Sequence, residues 1–243
     1  MTDQQIIDNL KIKQNDKVLD VGGSTKQHDL IEVDTIVDIV SPEKAPYWPT
    51  KLRAHNFVKL DICQNPLPFK DKSFDVCLCT HVLEDLYDPF LIIKEMSRVA
   101  GRGCIVTPSR GFDMEYSSLN LTDWLTGFRR QPGLSHHHWF VENKENSLIF
   151  TPKVYPILYT SEFFITSWLG PKESVYFWEG NIDFKFNYPL ESHKIVSDYR
   201  KFMDSNKNKI RKSPVLFYFD NPLNYLKETV KFILRRGNGF KYK

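Results

Sequence analysis

The sequence has no apolar run approaching the ~18 residues that a membrane-spanning helix needs, so no transmembrane segment is expected. Cysteine is scarce: Cys63, Cys77, Cys79 and Cys104 are the four. Cys77 and Cys79 form C-x-C, and nothing follows at zinc spacing, which speaks against a metal held there. Three of the four lie in apolar, strand-like segments. They are expected as small buried thiols in a reducing, cytoplasmic compartment. Neither sign of charge dominates, because 33 Lys and Arg stand against 30 Asp and Glu, a net charge of +3. That balance calls for no nucleic-acid partner. Internal repeats and low-complexity tracts are lacking, and the opening MTDQQIIDNL does not look like a signal peptide.

What is present is a core. Hydrophobic residues make up 41% of 243 positions, enough for one large α/β domain. Thr2–Leu10 predicts a short helix with Thr2 or Asp3 as its cap. Strands are predicted at Lys17–Val21, Thr35–Val40, Asn56–Leu60, Phe74–Cys79 and Cys104–Thr107, with a helix from about Pro89 to Val99 capped by Asp88. Glu95 is the one acidic residue on that helix's apolar face. Only a helical turn or two fits between the first two strands. This alternation predicts a doubly wound, mostly parallel, Rossmann-like sheet. Residues 1–110 would form its cofactor-binding core, and 111–243 an aromatic-rich elaboration of the same domain. In that second half VYFWEGNIDFKFN reads as a hairpin around Glu179-Gly180-Asn181, SLIFTPKVYPILYT as strand, and Ser192–Asn206 and Pro222–Arg236 as helices.

The chemistry concentrates where strands end. Asp20, Asp38 and Asp61 close three successive strands, which parallel pairing would bring to one sheet edge, the edge where ligands bind in open α/β sheets. Asp20 sits beside Gly22 and Gly23, and a lone carboxylate there is costly without a partner. It suits an amino-bearing or cationic group. Asp38 is placed to accept from the hydroxyls of a ribose, and Asp61 from an adenine amino group. The glycine row lacks the second and third glycines of G-x-G-x-x-G, so it cannot lay a pyrophosphate on a helix N-terminus. A phosphate-free, positively charged ligand, S-adenosylmethionine, fits better than NAD.

VLDVGGS, VDIV, KLDI and SFDVCLCTHVLEDLYDP, in this order and spacing, resemble the successive motifs of class I S-adenosylmethionine-dependent methyltransferases. The likeness covers roughly Asp16 to Ser109 and is greatest to the group whose fourth strand runs into His-Val-Leu-Glu-His. Here that stretch reads His81-Val82-Leu83-Glu84-Asp85, with an aspartate in last place, and Ser24 replaces the usual third glycine. The resemblance implies that Asp20, Gly22 and Gly23 hold the methionine portion and Asp38 the ribose. It implies that Asp61 and Ile62 frame the adenine, and that Thr80 and His81 line the pocket beneath the sulfonium.

For the acceptor, the candidates follow the fifth strand: Asp113 with Glu115, and His136-His137-His138 before Trp139. A catalytic base among Asp113, His136, His137 and His138 is one reading, a divalent metal site a second, and a surface loop or core histidine a third; no metal is assigned. Trp124, Trp139, Trp168 and Trp178, with Tyr155, Tyr176 and Phe177, suit a sugar or a planar acceptor, or a core. His-Trp followed by Leu148–Lys153 is similar to methyltransferases of surface-polysaccharide pathways. The expected function is therefore O-methylation of a sugar hydroxyl in a glycan or sugar nucleotide. Two alternatives stand: methylation of a small metabolite, protein or RNA, and a non-catalytic nucleotide-binding module. The basic C-terminus could touch an anionic membrane surface or pack on the sheet. The oligomeric state is left open.

Overall fold

A computed structural model describes residues 1–45, 49–116, 131–187 and 191–212. By contact the chain divides into two units. The first comprises Met1–Arg110, His136–Lys153 and Pro171–Leu190, the second Gly111–Ser135, Val154–Gly170 and Glu191–Lys243. The main elements of the first half are α1 (Asp3–Leu10), β1 (Val18–Val21), β2 (Thr35–Asp38), β3 (Asn56–Lys59), β4 (Phe74–Thr80), α2 (Phe90–Val99) and β5 (Ala100–Pro108). Later strands are β6 (Trp139–Lys144), β7 (Ser147–Pro152), β8 (Ser167–Trp168), β9 (Glu173–Glu179), β10 (Phe184–Phe186) and β11 (Ile210–Arg211).

The first unit is built on a sheet of order β3-β2-β1-β4-β5-β9, parallel throughout except for β9, which runs antiparallel to β5. The expected α/β class with a mostly parallel sheet is what the chain adopts. Alternate strand residues feed two cores. Leu19, Val21, Val37, Cys77, Cys79 and Ile105 pack on one face with Ile92, Ile93, Met96 and Val99 of α2. Val18, Ile36, Val76, Leu78, Cys104 and Val106 pack on the other with Ile6 and Leu10 of α1. The described cysteines are all free, and burial pushes the Cys77, Cys79 and Cys104 thiols upward.

Several expectations need correction. Residues between β1 and β2 form turns and bends and contain no helix at all. Their place over the sheet is taken by α1, capped by Thr2 in a reciprocal box with Gln5. The Asp3 carboxylate then accepts from the Asp29 and Leu30 amides and contacts His28 Nδ1 at 2.7 Å, pinning the loop to the helix. The cap of α2 is Pro89 rather than Asp88, although Asp88 Oδ1 still accepts from the Phe90 amide at 3.0 Å. Strand β5 starts at Ala100, ahead of the expected Cys104, and takes in Gly101-Arg102-Gly103; a Cβ at Gly103 would collide with the Cys77 carbonyl and the Trp178 ring. Glycine permits the close approach here. The hairpin predicted at Glu179-Gly180-Asn181 does not form: β9 pairs with β5, and β10 pairs parallel with β7 in a second sheet. The actual hairpin joins β6 and β7 through Glu145 and Asn146, both at positive φ, a two-residue turn matched to strand twist. SLIFTPKVYPILYT is strand only to Pro152; Tyr155–Leu158 is a helical turn.

The second unit pairs β8 with β11 antiparallel and carries the expected helix, Ser192–Ser205, whose Tyr199 hydroxyl accepts from the Val154 amide at 2.9 Å. Trp124 and the helix expected at Pro222–Arg236 lie outside the described residues.

Glu95, anomalous on the apolar face of α2, is explained by its partners. It is buried and accepts from the Leu67 amide at 2.7 Å and from Arg98, which also donates to the Phe69 and Leu67 carbonyls. The pair fastens the loop before β4 to the helix. Glu95→Ala should cost about 2 kcal/mol by leaving the Leu67 amide and the guanidinium without their shared acceptor. Denaturant unfolding would show it as a lowered midpoint, and an unchanged midpoint would refute this role.

Candidate active site

Asp20 lies in β1, opposite Ile36 of β2 and Leu78 of β4. Its side chain is 1% exposed, and neither carboxylate oxygen has a hydrogen-bond donor among the described residues. The nearest cation-capable group is His28 Nε2 at 3.9 Å. Burial, only partly offset by His28, pushes the Asp20 carboxyl up to about 6. The following turn is shaped around it. Gly22 sits at φ +78° and donates to the Val37 carbonyl at 2.8 Å. A Cβ on Gly23 would run into the Asp20 carboxylate, so glycine is required there. The Ser24 hydroxyl, also buried, has no hydrogen-bond partner among the described residues. A buried carboxylate and hydroxyl left unmatched at the end of a parallel strand fit a cationic, hydrogen-bonding ligand.

The neighbouring acids behave differently. Asp38 closes β2, but its oxygens accept from the Ser24 and Val40 amides at 3.1 and 3.2 Å, so it also braces the glycine turn. Asp61 lies two residues beyond the end of β3. There it accepts from the Cys63 amide at 3.0 Å and from Gln64 Nε2 at 2.9 Å. Strand β3 ends at Lys59 and β2 at Asp38, both shorter than expected, although the Leu60 amide still donates to the Asp38 carbonyl at 3.0 Å. Ile62 is buried in the core, whereas Ile39, next to Asp38, is 55% exposed. An exposed aliphatic side chain at this edge offers a flat apolar face that sequence reasoning passed over.

Thr80 ends β4, and His81 follows at φ +56°, donating its amide to the Val106 carbonyl at 2.8 Å. Its ring stands 3.4 Å from Glu84 and 3.4 Å from Glu173 at the start of β9. Burial lowers the His81 value, but the two carboxylates outweigh it and raise it, favouring imidazolium. Glu173 is a partner that no sequence spacing announced. A cavity of about 430 Å³ opens here, lined by Thr80, Val106, Lys26, His28 and Glu173 among others.

The histidine triplet belongs to the same unit. Amides of His138 and Trp139 donate to the Glu84 carbonyl at 2.7 and 3.3 Å, and Trp139 Nε1 donates to the Leu86 carbonyl at 2.9 Å. The triplet is thereby fixed against the turn after β4. His138 stacks on Tyr87, rings 4.0 Å apart, with Tyr87 81% exposed. His136 and His137 both face Asp85. Asp113 falls in the second unit, buried, with Oδ1 accepting from the Leu134 amide at 3.3 Å. Glu115 in that unit accepts from the Trp168 amide. Of the aromatics, Tyr176, Trp178 and Trp168 are core, and Trp139 is half-buried against Phe150 and Phe186.

The unmatched Asp20 carboxylate makes stability depend on pH. With a folded value about 6 against 3.8, the folded state holds the proton more tightly, so stability falls as pH rises through that interval. The loss should reach about 3 kcal/mol above pH 7, from 1.36 kcal/mol per unit. Asp20→Asn should remove this slope and be the more stable protein at pH 8. Parallel denaturation series for the two proteins would settle it, and coincident pH profiles would rule the account out.

Residues 25–107 match the family model described as a methyltransferase domain, beginning just after the glycine turn and including Asp38, Asp61, Ile62, Thr80 and His81. No curated protein matches the chain. Solved structures similar to it include an S-adenosylmethionine-dependent methyltransferase from Methanosarcina mazei (26% identity, 43% of this chain and 57% of that one, TM-score 0.33). One from Aquifex aeolicus is 19% identical over 51% of this chain and 74% of that one, with a TM-score of 0.33. The chain spans about half the length of several of the solved structures it matches. The matched segment, residues 25–107, lies on the mostly parallel α/β sheet, and a methyltransferase domain of the kind it matches implies S-adenosylmethionine as cofactor.

Proposed function

We propose that the protein is an S-adenosylmethionine-dependent methyltransferase that O-methylates a sugar hydroxyl of a glycan or sugar nucleotide. The observation that carries the cofactor reading is Asp20, a buried carboxylate with no donor among the described residues, set against a glycine turn. S-adenosylmethionine brings an ammonium group and a methyl group activated on a sulfonium. Asp20 would receive the ammonium, with Ser24 beside it and Gly22 and Gly23 giving close backbone approach. Asp38 would accept from the ribose hydroxyls with lone pairs left over from its backbone bonds. Asp61 with Ile62, and the exposed Ile39, would frame the base. Thr80 and His81 would line the space nearest the sulfonium.

The enzyme's remaining work is alignment and exclusion of water, because the methyl carbon is already activated. An alcohol acceptor gains from a base, since a neutral hydroxyl is a poor nucleophile. The base belongs to the group His136, His137, His138 and Asp113. His138 is favoured among them, because its ring already lies on the exposed face of Tyr87, a surface on which a sugar ring can stack. His81, held toward imidazolium by two carboxylates, is suited to donate a hydrogen bond and not to take a proton. The sugar acceptor is supported by this aromatic and histidine edge and by the likeness of the 148–153 segment to polysaccharide-pathway enzymes.

Calorimetric titration with S-adenosylhomocysteine tests the cofactor half. Binding should be measurable, and Asp20→Asn should weaken it about tenfold or more, the value of a hydrogen bond to a charged group. Affinity should also rise from about pH 5 to about pH 7 as Asp20 ionises, and then level off. Absence of binding at any pH would remove the methyltransferase reading. For the acceptor half, labelled cofactor offered to sugar nucleotides and to a small-molecule extract should mark the sugars. Turnover should fall in His138→Ala with cofactor affinity kept.

A further inference from the structure

We propose that Asp85, His136 and His137 form a binding site for a divalent transition-metal cation. Asp85 Oδ1 stands 3.6 Å from Nε2 of His136 and 3.5 Å from Nε2 of His137, and the three ligand atoms all lie within 4.8 Å of one another. These separations exceed the 2.7–3.2 Å of an N–H···O bond. They approach the ~3.3 Å edge that two ligand atoms describe when each lies about 2.0–2.1 Å from a tetrahedral ion. The side chains thus stand where shared coordination would hold them.

Hydrogen bonds to backbone carbonyls fix the two segments that carry these residues. Asp85 donates its amide to the Val82 carbonyl at 3.0 Å, closing the turn after β4. Glu84 of that turn receives the His138 and Trp139 amides, and Leu86 receives the Trp139 indole. Two segments some fifty residues apart are therefore clamped on either side of the cluster. Burial is graded across it: the His137 side chain is 3% exposed, Asp85 38% and His136 58%. One side is anchored and the other open to solvent, as a site that exchanges a ligand requires.

The donor set selects the metal. Two imidazoles and one carboxylate suit zinc, iron(II), cobalt(II) or nickel(II), and not magnesium or calcium, which prefer all-oxygen shells. Three protein ligands leave at least one position for an outside oxygen. On the sugar-methylating reading, on which this last step rests, that oxygen is an acceptor hydroxyl, which the ion would bind and orient. The site needs an aspartate at the end of the His-Val-Leu-Glu-Asp run; a histidine there would change the donor set.

The untagged full-length chain, stripped with chelator and desalted, can be titrated with Co²⁺ while visible absorption is recorded. Wild type should saturate at about one ion per chain, with ligand-field bands of an imidazole–carboxylate site. His136→Ala, at the exposed ligand, and Asp85→Asn should each weaken binding about tenfold or more, with circular-dichroism melts of the metal-free variants matching wild type. Lack of a saturable signal in wild type would overturn the proposal. So would Asp85→Asn binding like wild type, which would mean that neighbouring histidines alone had captured the ion. S-adenosylhomocysteine binding is measured on the same metal-free preparations. Failure there with Co²⁺ saturation intact would sink the methyltransferase reading and leave the metal site standing.

Discussion

A carboxylate kept out of water without a donor is the constraint from which the rest of the ligand edge follows. Removing Asp20 from solvent opposes its ionisation, and nothing described around it returns the lost hydration. The surrounding structure bears this cost with backbone bonds that do not touch the carboxylate. Gly22 donates to the next strand, Ser24 to Asp38, and Gly23 has no side chain to displace the group. A turn optimised for stability alone would have given Asp20 one of those amides. Sending them elsewhere leaves the acid poised, the pattern of a site that trades stability for binding.

The same edge explains the departure from regular βαβ winding. A crossover helix between β1 and β2 would begin at the glycine turn and bring its first amides toward the ligand. Here that helix is absent, and α1, which precedes β1, covers the face through Ile6 and Leu10. Asp3 then ties the loop at His28, Asp29 and Leu30 to the start of α1. The loop is ordered from outside by a capped helix, so it needs no regular structure of its own. His28, drawn in by Asp3, is thereby placed near Asp20, where its positive form can moderate the acid.

How much of this was legible depended on whether the determining contacts are local. The parallel strands were readable because apolar runs, glycine turns and terminal aspartates are each short-range signals, and the match to a methyltransferase domain over residues 25–107 takes in the later strands, β2 to β5. Asp38 illustrates the limit. Its position at the end of β2 was visible, but its bonds to the Ser24 and Val40 amides depend on how two turns meet. The false hairpin at Glu179-Gly180-Asn181 arose because a glycine between two aromatic strands is a strong local signal. Its strands found better partners, β5 and β7, far away in sequence. Conversely, Glu145-Asn146 has no glycine and was overlooked, though both residues adopt positive φ. Glu95 reads along the chain as a charge on an apolar face, and only the Leu67 amide and Arg98, both brought to it by folding, explain it.

The acceptor side shows the deepest non-locality. Three consecutive histidines carry no spacing information, and a reading along the chain groups them with Asp113 and Glu115. Backbone hydrogen bonding pairs them instead with the turn after β4, because the Glu84 carbonyl accepts two successive amides from the triplet's end. Those amides, with the Trp139 indole on the Leu86 carbonyl, hold the two segments together. The chemistry of the imidazoles is then set by what they face: Asp85 for His136 and His137, and the exposed Tyr87 ring for His138. Main-chain bonds carry most of the assembly, so substitution of the exposed His136 alters what the edge binds before it alters the fold.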